Sequence, residues 1–208
     1  RLNGAPVSNL PSGWYLDRAM HKVLLPPLAW GQNVLELACA YTTHMEVEDC
    51  FLLGAFGVSI DRALIAEPTA LHFGDWTTQG YPHYAGSILY HGQYRHQPQE
   101  SERVRLYLGE YQAVDVAVHV NGALVGHIPW ASENGLDITE ALGAGVNNIA
   151  IEVVSSPRNM LGPLHLATGR ESWTDWRSFR RTDDTYTPHY VLKSWGLIGQ
   201  VRLQRESK

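Results

Sequence analysis

Apolar and polar residues alternate with a period of two through much of this chain, the spacing that places every second side chain on one face of a strand. Leu35, Leu37, Cys39 and Tyr41 fall on one side of Val34–Tyr41. Val114, Val116, Val118 and Val120 fall on one side of Val114–Val120, opposite Asp115, Ala117 and His119. Ser87–Arg95, Arg103–Leu108, Asn148–Val154 and Leu197–Leu203 read as further strands, and Asp49–Val58 begins as one before Gly54 and Gly57 soften it. Asn121-Gly122 stands between two such runs, and a type I′ hairpin turn, which needs positive φ at both central residues, favours that pair. No stretch sustains a 3.6-residue period through three turns. The best helical candidate is one turn at Asp137–Leu142, capped by Asp137 or Thr139 and stopped by Gly143. The pattern predicts an all-β chain of two sheets packed as a sandwich.

The chain also repeats itself. Leu2-Asn3-Gly4-Ala5 reads like Val120-Asn121-Gly122-Ala123, Leu16-Asp17 like Leu136-Asp137, and Gly31-Gln32-Asn33-Val34-Leu35 like Gly145-Val146-Asn147-Asn148-Ile149. The offsets are 118, 120 and 114 residues, in the same order. Strands precede this grammar in the second copy and none precede it in the first. Residues 1–43 are therefore expected to be the closing half of one β-sandwich unit, 44–59 a connecting strand region, and 60–208 a complete second unit. A half sandwich bares an apolar sheet face, to be covered by the second unit, by its missing half or by another chain.

Composition narrows the classes. Hydrophobic residues at 44% against 18% charged exclude a disordered chain. With 16 basic and 21 acidic residues, a net charge of −5 argues against a partner bound through phosphates, so no nucleic acid is expected. The longest apolar stretches, Val23–Trp30 and Phe51–Ile60, are too short to span a membrane and are cut by Pro or Gly. Glycines and prolines are spread evenly, as in an all-β domain. The chain opens at Arg1, without Met or a leader pattern, and so reads as a piece of a longer polypeptide. Cys39 and Cys50 lie in neighbouring predicted strands; two buried free thiols are favoured over a disulfide. An extracellular or periplasmic location is slightly favoured over a cytoplasmic one.

Trp and Tyr rings cover the C–H face of a sugar while neighbouring polar groups bond its hydroxyls. Trp76, Tyr81, His83 and Tyr84 share one Gly/Pro-punctuated loop before the Ser87 strand, and Trp130 follows Pro129 in a turn-rich stretch. Packing into the end of the sandwich is the competing role for these rings. Ser155–Pro188 lacks clear alternation for over thirty residues and holds His165, Trp173, Trp176 and an Arg177/Arg180/Arg181 cluster offset by Asp175, Asp183 and Asp184. No nucleophile elbow, phosphate loop, H-E-x-x-H or C-x-x-C occurs. Glu46, Glu48, Asp49 and Asp61 could hold a structural calcium; no other cofactor is expected.

Several of these stretches resemble a known family. Val120-Asn121-Gly122, Val125-Gly126, Leu136-Asp137-Ile138-Thr139 and Gly145-x-Asn147-Asn148-Ile149 resemble the jelly-roll, galactose-binding-like domain of family 2 glycoside hydrolases and their relatives. Gly74-Asp75-Trp76-Thr77-Thr78-Gln79-Gly80-Tyr81-Pro82-His83-Tyr84 is similar to the opening of such domains in large bacterial glycosidases, including some similar to the rhamnosidase group. Asn159-Met160-Leu161-Gly162-Pro163-Leu164-His165 is similar to a loop near their end. The resemblance implies a non-catalytic jelly roll that binds carbohydrate or supports the catalytic domain of its parent chain. If it binds sugar, Trp76, Tyr81, His83 and Tyr84, with Trp130 and His165, are the residues expected to form a shallow end-loop site. Two alternatives stand beside it: a pure spacer, and a small polysaccharide-active enzyme in which Tyr84, His83 and Arg158 converge.

Overall fold

The computed structural model describes residues 1–45, 49–128, 135–167, 174–180 and 185–207. The chain divides into two compact units, Arg1–Leu52 and Leu53–Lys208. Among the described residues it is mostly β, with antiparallel pairing throughout and one short α-helix.

In the first unit, β1 (Gly13–Tyr15) and β2 (Asp17–Lys22) form a hairpin with an irregularity between Trp14 and Tyr15. Leu2 bridges to Ala5 and to Leu35, and Glu36 N–H reaches the Arg1 carbonyl at 2.9 Å. The strand expected over Val34–Tyr41 goes no further than this: residues 36–41 lie in no strand. A β-strand exists only through pairing, and beyond Arg1 the described residues offer this segment no neighbour. Leu2 is the unit's one buried hydrophobic residue among those described. Cys39 and Cys50 are free and exposed, contrary to the expected burial, because the sheet that would cover Cys39 is not assembled.

The second unit begins with two short strands, β3 (Gly57–Val58) and β4 (Leu64–Ile65), paired together. Only Gly57–Val58 of the Asp49–Val58 run is a strand. Then follow β5 (Ser87–His96), β6 (Glu102–Leu108), β7 (Tyr111–Gln112), β8 (Asp115–Val120), β9 (Ala123–His127), β10 (Gly135–Asp137), β11 (Gly145–Val154), α1 (Arg158–Leu161), β12 (Gly196–Leu197) and β13 (Val201–Ser207). One sheet runs β5-β11-β8-β9 and another β10-β6-β13. The expected Leu197–Leu203 strand is split between β12, which pairs with β7, and β13, which pairs with β6. Gly199 makes the break. A Cβ there would lie 2.6 Å from the Glu110 nitrogen, whose carbonyl takes the Gly199 N–H.

Alternation decides the core. Val104, Leu106 and Leu108 of β6, Val116, Val118 and Val120 of β8, and Ile149, Ile151 and Val153 of β11 join one apolar cluster with Trp76, Ile138, Trp195 and Leu197. The expected turn at Asp137–Leu142 is a 3-10 turn at Thr139–Ala141, where Asp137 Oδ1 accepts the Thr139 N–H at 3.0 Å.

The sequence repeat is a repeat of geometry. Asn3 and Gly4 have φ of 50° and 80°; Asn121 and Gly122 have 51° and 85°. Asn3 Nδ2 donates to Asn33 Oδ1 at 2.9 Å, and Asn121 Nδ2 to Asn147 Oδ1 at 2.8 Å. Each first Asn also accepts a strand N–H, from Val34 at 2.7 Å and from Asn148 at 3.0 Å. Each second Asn clasps the loop ahead of it, Asn33 through Ala29 and Gly31, Asn147 through Gly143 and Gly145. Pairing matches as well, with Leu2 opposite Leu35 as Val120 is opposite Ile149. The Leu-Asp pieces agree only in part. Asp17 accepts the Ala19 N–H at 2.7 Å as Asp137 does that of Thr139, but Leu16 has φ 60° and Asp17 opens a strand.

Candidate functional site

The loop ahead of β5 is anchored by backbone bonds to residues 195 and 197. Gly74 N–H bonds the Leu197 carbonyl at 2.6 Å and Trp76 N–H the Trp195 carbonyl at 3.0 Å. Asp75 Oδ1 accepts from Thr77 at 2.9 Å and from Trp195 at 3.2 Å, capping the short 3-10 turn Trp76–Thr78. This drives the Trp76 indole into the core, where it is 0% exposed. A ring with no accessible face cannot stack on a sugar, so Trp76 is a packing residue in this structure. Tyr84 lies edge-on to it at 6.3 Å and Tyr81 edge-on to Tyr84 at 5.7 Å. Burial raises the Tyr81 phenol above its ordinary range, with the Glu67 carboxylate adding to the shift. The Tyr84 hydroxyl donates to the Ser87 carbonyl at 3.0 Å, which turns it toward β5.

His83 leaves this row and meets the far end of the chain. Its Nδ1 lies 2.8 Å from the Asn159 carbonyl on α1. His165 Nδ1 lies 2.9 Å from the Thr187 carbonyl. A carbonyl only accepts, so both bonds place the proton on Nδ1 and leave Nε2 as the acceptor of the neutral ring. Between the two imidazoles stands Tyr190, edge-on to His83 at 5.9 Å and to His165 at 5.1 Å. Tyr186 stacks on His165 at 5.4 Å, and the Arg62 guanidinium sits 4.4 Å from the centre of the Tyr190 ring. Tyr190 is 37% exposed and both histidines are half-buried.

Two pairings build this cluster. His165 and Thr187 exchange backbone and side-chain bonds, Ala167 N–H reaches the Thr185 carbonyl and Val191 N–H the Leu164 carbonyl. Asn159, buried to 1%, donates Nδ2 to the Lys193 carbonyl and accepts the Lys193 N–H at Oδ1, both at 2.7 Å. It thus fixes α1, and with it the carbonyl that orients His83. Gly162 permits the turn, because a Cβ there would run into the Arg158 carbonyl.

Of the residues expected at a sugar site, the structure therefore brings His83 and His165 together. Tyr81 and Tyr84 form a separate aromatic row with Trp76, and Trp130 lies outside the described residues. Sequence reasoning missed Tyr190, Tyr186 and Arg62. Asn159 stood inside a quoted motif but had no role assigned. Trp173 lies outside the described residues, while Trp176 is exposed beneath Arg180 at 3.9 Å. Glu46 and Glu48 also lie outside them, and among the described residues no three His, Cys, Asp or Glu side chains gather as a metal site. An open depression of about 410 Å³ lies elsewhere, along Arg103, Leu124, Asp137 and Glu140.

No family model and no curated protein matches the chain. Among solved structures, it is similar to part of a rhamnosidase from Novosphingobium sp. PP1Y, at 29% identity and a TM-score of 0.43, over 60% of this chain and 11% of that one. It is also similar to part of an FMN-binding beta-glucuronidase from Facaelibacterium prausnitzii L2-6, at 20% identity and a TM-score of 0.39, over 70% of this chain and 20% of that one. The chain thus resembles parts of large bacterial glycoside hydrolases and spans a small share of their length.

Proposed function

We propose that the second unit is a jelly-roll, galactose-binding-like sandwich that binds carbohydrate as an accessory region of a large bacterial glycoside hydrolase, with the catalytic domain elsewhere in the parent chain. The sequence motifs support the jelly-roll reading, and the aliphatic cluster shared by β6, β8 and β11 is consistent with it. The observation that carries the binding reading is the pair of anchored imidazoles flanking Tyr190. Each has its Nδ1 spent on a backbone carbonyl, so each offers a fixed Nε2 acceptor to a hydroxyl. Tyr190 supplies a part-exposed ring, and Arg62 supplies donors. Fixed polar groups around an apolar ring suit a neutral sugar with several hydroxyls. A ring that is only part-exposed covers little of a ligand, so modest affinity is expected.

The test is retention on immobilised polysaccharides built from rhamnose, galactose and glucose. Wild type binds at least one, and Tyr190→Ala or His165→Ala weakens that binding about tenfold, the scale of one lost aromatic contact. Thermal unfolding of each variant checks that the fold survives. No retention by a folded wild type supports the spacer instead.

A further inference from the structure

The duplicated grammar says what the first unit lacks. In the second copy, Ile149, Ile151 and Val153 are 7%, 4% and 0% exposed, because β11 is held in the sheet by β5 on one edge and β8 on the other and its inward face packs into the core cluster with β6. Their counterparts Leu35 and Leu37 are 46% and 71% exposed, and Cys39 is exposed. The two copies share turn angles, asparagine clasps and the Leu2–Leu35 register, and they part only beyond Glu36, where residues 37–41 find no pairing neighbour among the described residues and form no strand. Every element that buries β11 by pairing, β5 and the body of β8, precedes Val120 in the second copy. So does β6, which brings Val104, Leu106 and Leu108 to the same core.

We infer that the apolar edge Leu35–Tyr41 is a docking site for a β-segment of the same polypeptide, encoded ahead of Arg1 and built like Ser87–His119. One strand lies beside Leu35–Tyr41 as β5 lies beside β11. A second leads into Leu2 as β8 leads into Val120. The third carries aliphatic side chains at alternate positions, as β6 does, over Leu35 and Leu37. Among the described residues, 37–41 make no backbone hydrogen bond, so the new strands gain main-chain pairing and apolar burial together. Charge does not oppose this, since Glu36 is the one charged side chain of the edge and alternates away from Leu35 and Leu37. The inference is independent of whether the second unit binds sugar.

Cys39 reports on it directly, as the counterpart of the buried Val153. In a Cys50→Ser background, the 208-residue chain is compared with the natural polypeptide extended upstream by a segment as long as Ser87–His119. Cys39 reacts quickly with a maleimide in the shorter chain and at least about 100-fold more slowly in the extended one, where labelling requires local opening. Hydrogen exchange at the Leu35 and Leu37 amides gives the same contrast without relying on the Cys50 substitution. Equal rates in the two chains overturn the inference. So does a reading frame closed just upstream of Arg1. Protection that appears in the 208-residue chain alone and rises with its concentration also overturns it, naming a second copy as the occupant.

Discussion

Asn121 and Asn147 are joined by a 2.8 Å hydrogen bond that ties a hairpin turn to the loop opening the next strand. Asn147 is 1% exposed and uses both ends of its amide, accepting from Asn121 and Gly143 while donating to Gly143 and Gly145. Its counterpart Asn33 makes the same kinds of bond in a more open setting. Asn147→Ala is expected to destabilise the second unit by about 2–3 kcal/mol, because it strands buried partners. Asn33→Ala exposes its partners to water and costs much less. Urea midpoints of the two variants measure the difference.

Trp76→Ala should act through stability alone. Emptying a fully buried indole site costs about 3–5 kcal/mol. Trp76→Phe should retain more, since the indole N–H has no hydrogen-bond partner among the described residues. Any sugar retained by wild type should still be retained by folded Trp76→Phe.

The carboxyl of Asp137 is held below its ordinary range, first by the Thr139 hydroxyl and backbone N–H, then by Arg103 and Arg105. A folded-state value below the unfolded one adds stability above the unfolded value and loses it as pH falls through the folded value. Asp137→Asn should therefore be less stable than wild type near neutrality, and the gap should close under acid. Unfolding midpoints from pH 7 downward through the carboxylate range test the sign.

Gly196 has φ 128°, and a Cβ there would sit 2.6 Å from the Gly74 carbonyl. Gly196→Ala should loosen the 74–76 loop by straining the Gly74–Leu197 pairing, at a cost of about 1–3 kcal/mol. A lowered melting temperature and faster exchange at the Trp76 amide are the expected readings.

Strands with partners were legible from alternation alone. Val104, Leu106 and Leu108, and the valines of β8, face the core as their spacing predicts. The Asn-Gly turn was legible because so few residues accept positive φ at both positions. Val34–Tyr41 shows where local pattern stops being sufficient, since its alternation is as good as that of β11 and the described residues pair it only as far as Glu36. Leu197–Leu203 failed differently, through a close backbone approach at Gly199 that no periodicity records. At the candidate site, His83 and His165 stood out as polar aromatics in irregular loops. Tyr190 did not, because its flanks Pro188-His189 and Val191-Leu192 show neither alternation nor a helical period. What brings Tyr190 beside residues 83 and 165 is the Asn159–Lys193 clasp, a contact 34 residues apart in sequence, together with the pairing of 164–167 against 185–191.

The carbohydrate reading is tested most directly by the imidazole nitrogens themselves. Long-range proton–nitrogen NMR spectra of His83 and His165 should show a proton on Nδ1 in both rings. Adding an oligosaccharide from whichever polysaccharide retains the chain should shift both Nε2 signals saturably, while His127, paired with Asp115 at 2.8 Å, keeps its position. Saturable binding of that sugar with both Nε2 signals unmoved would contradict the assignment of the site.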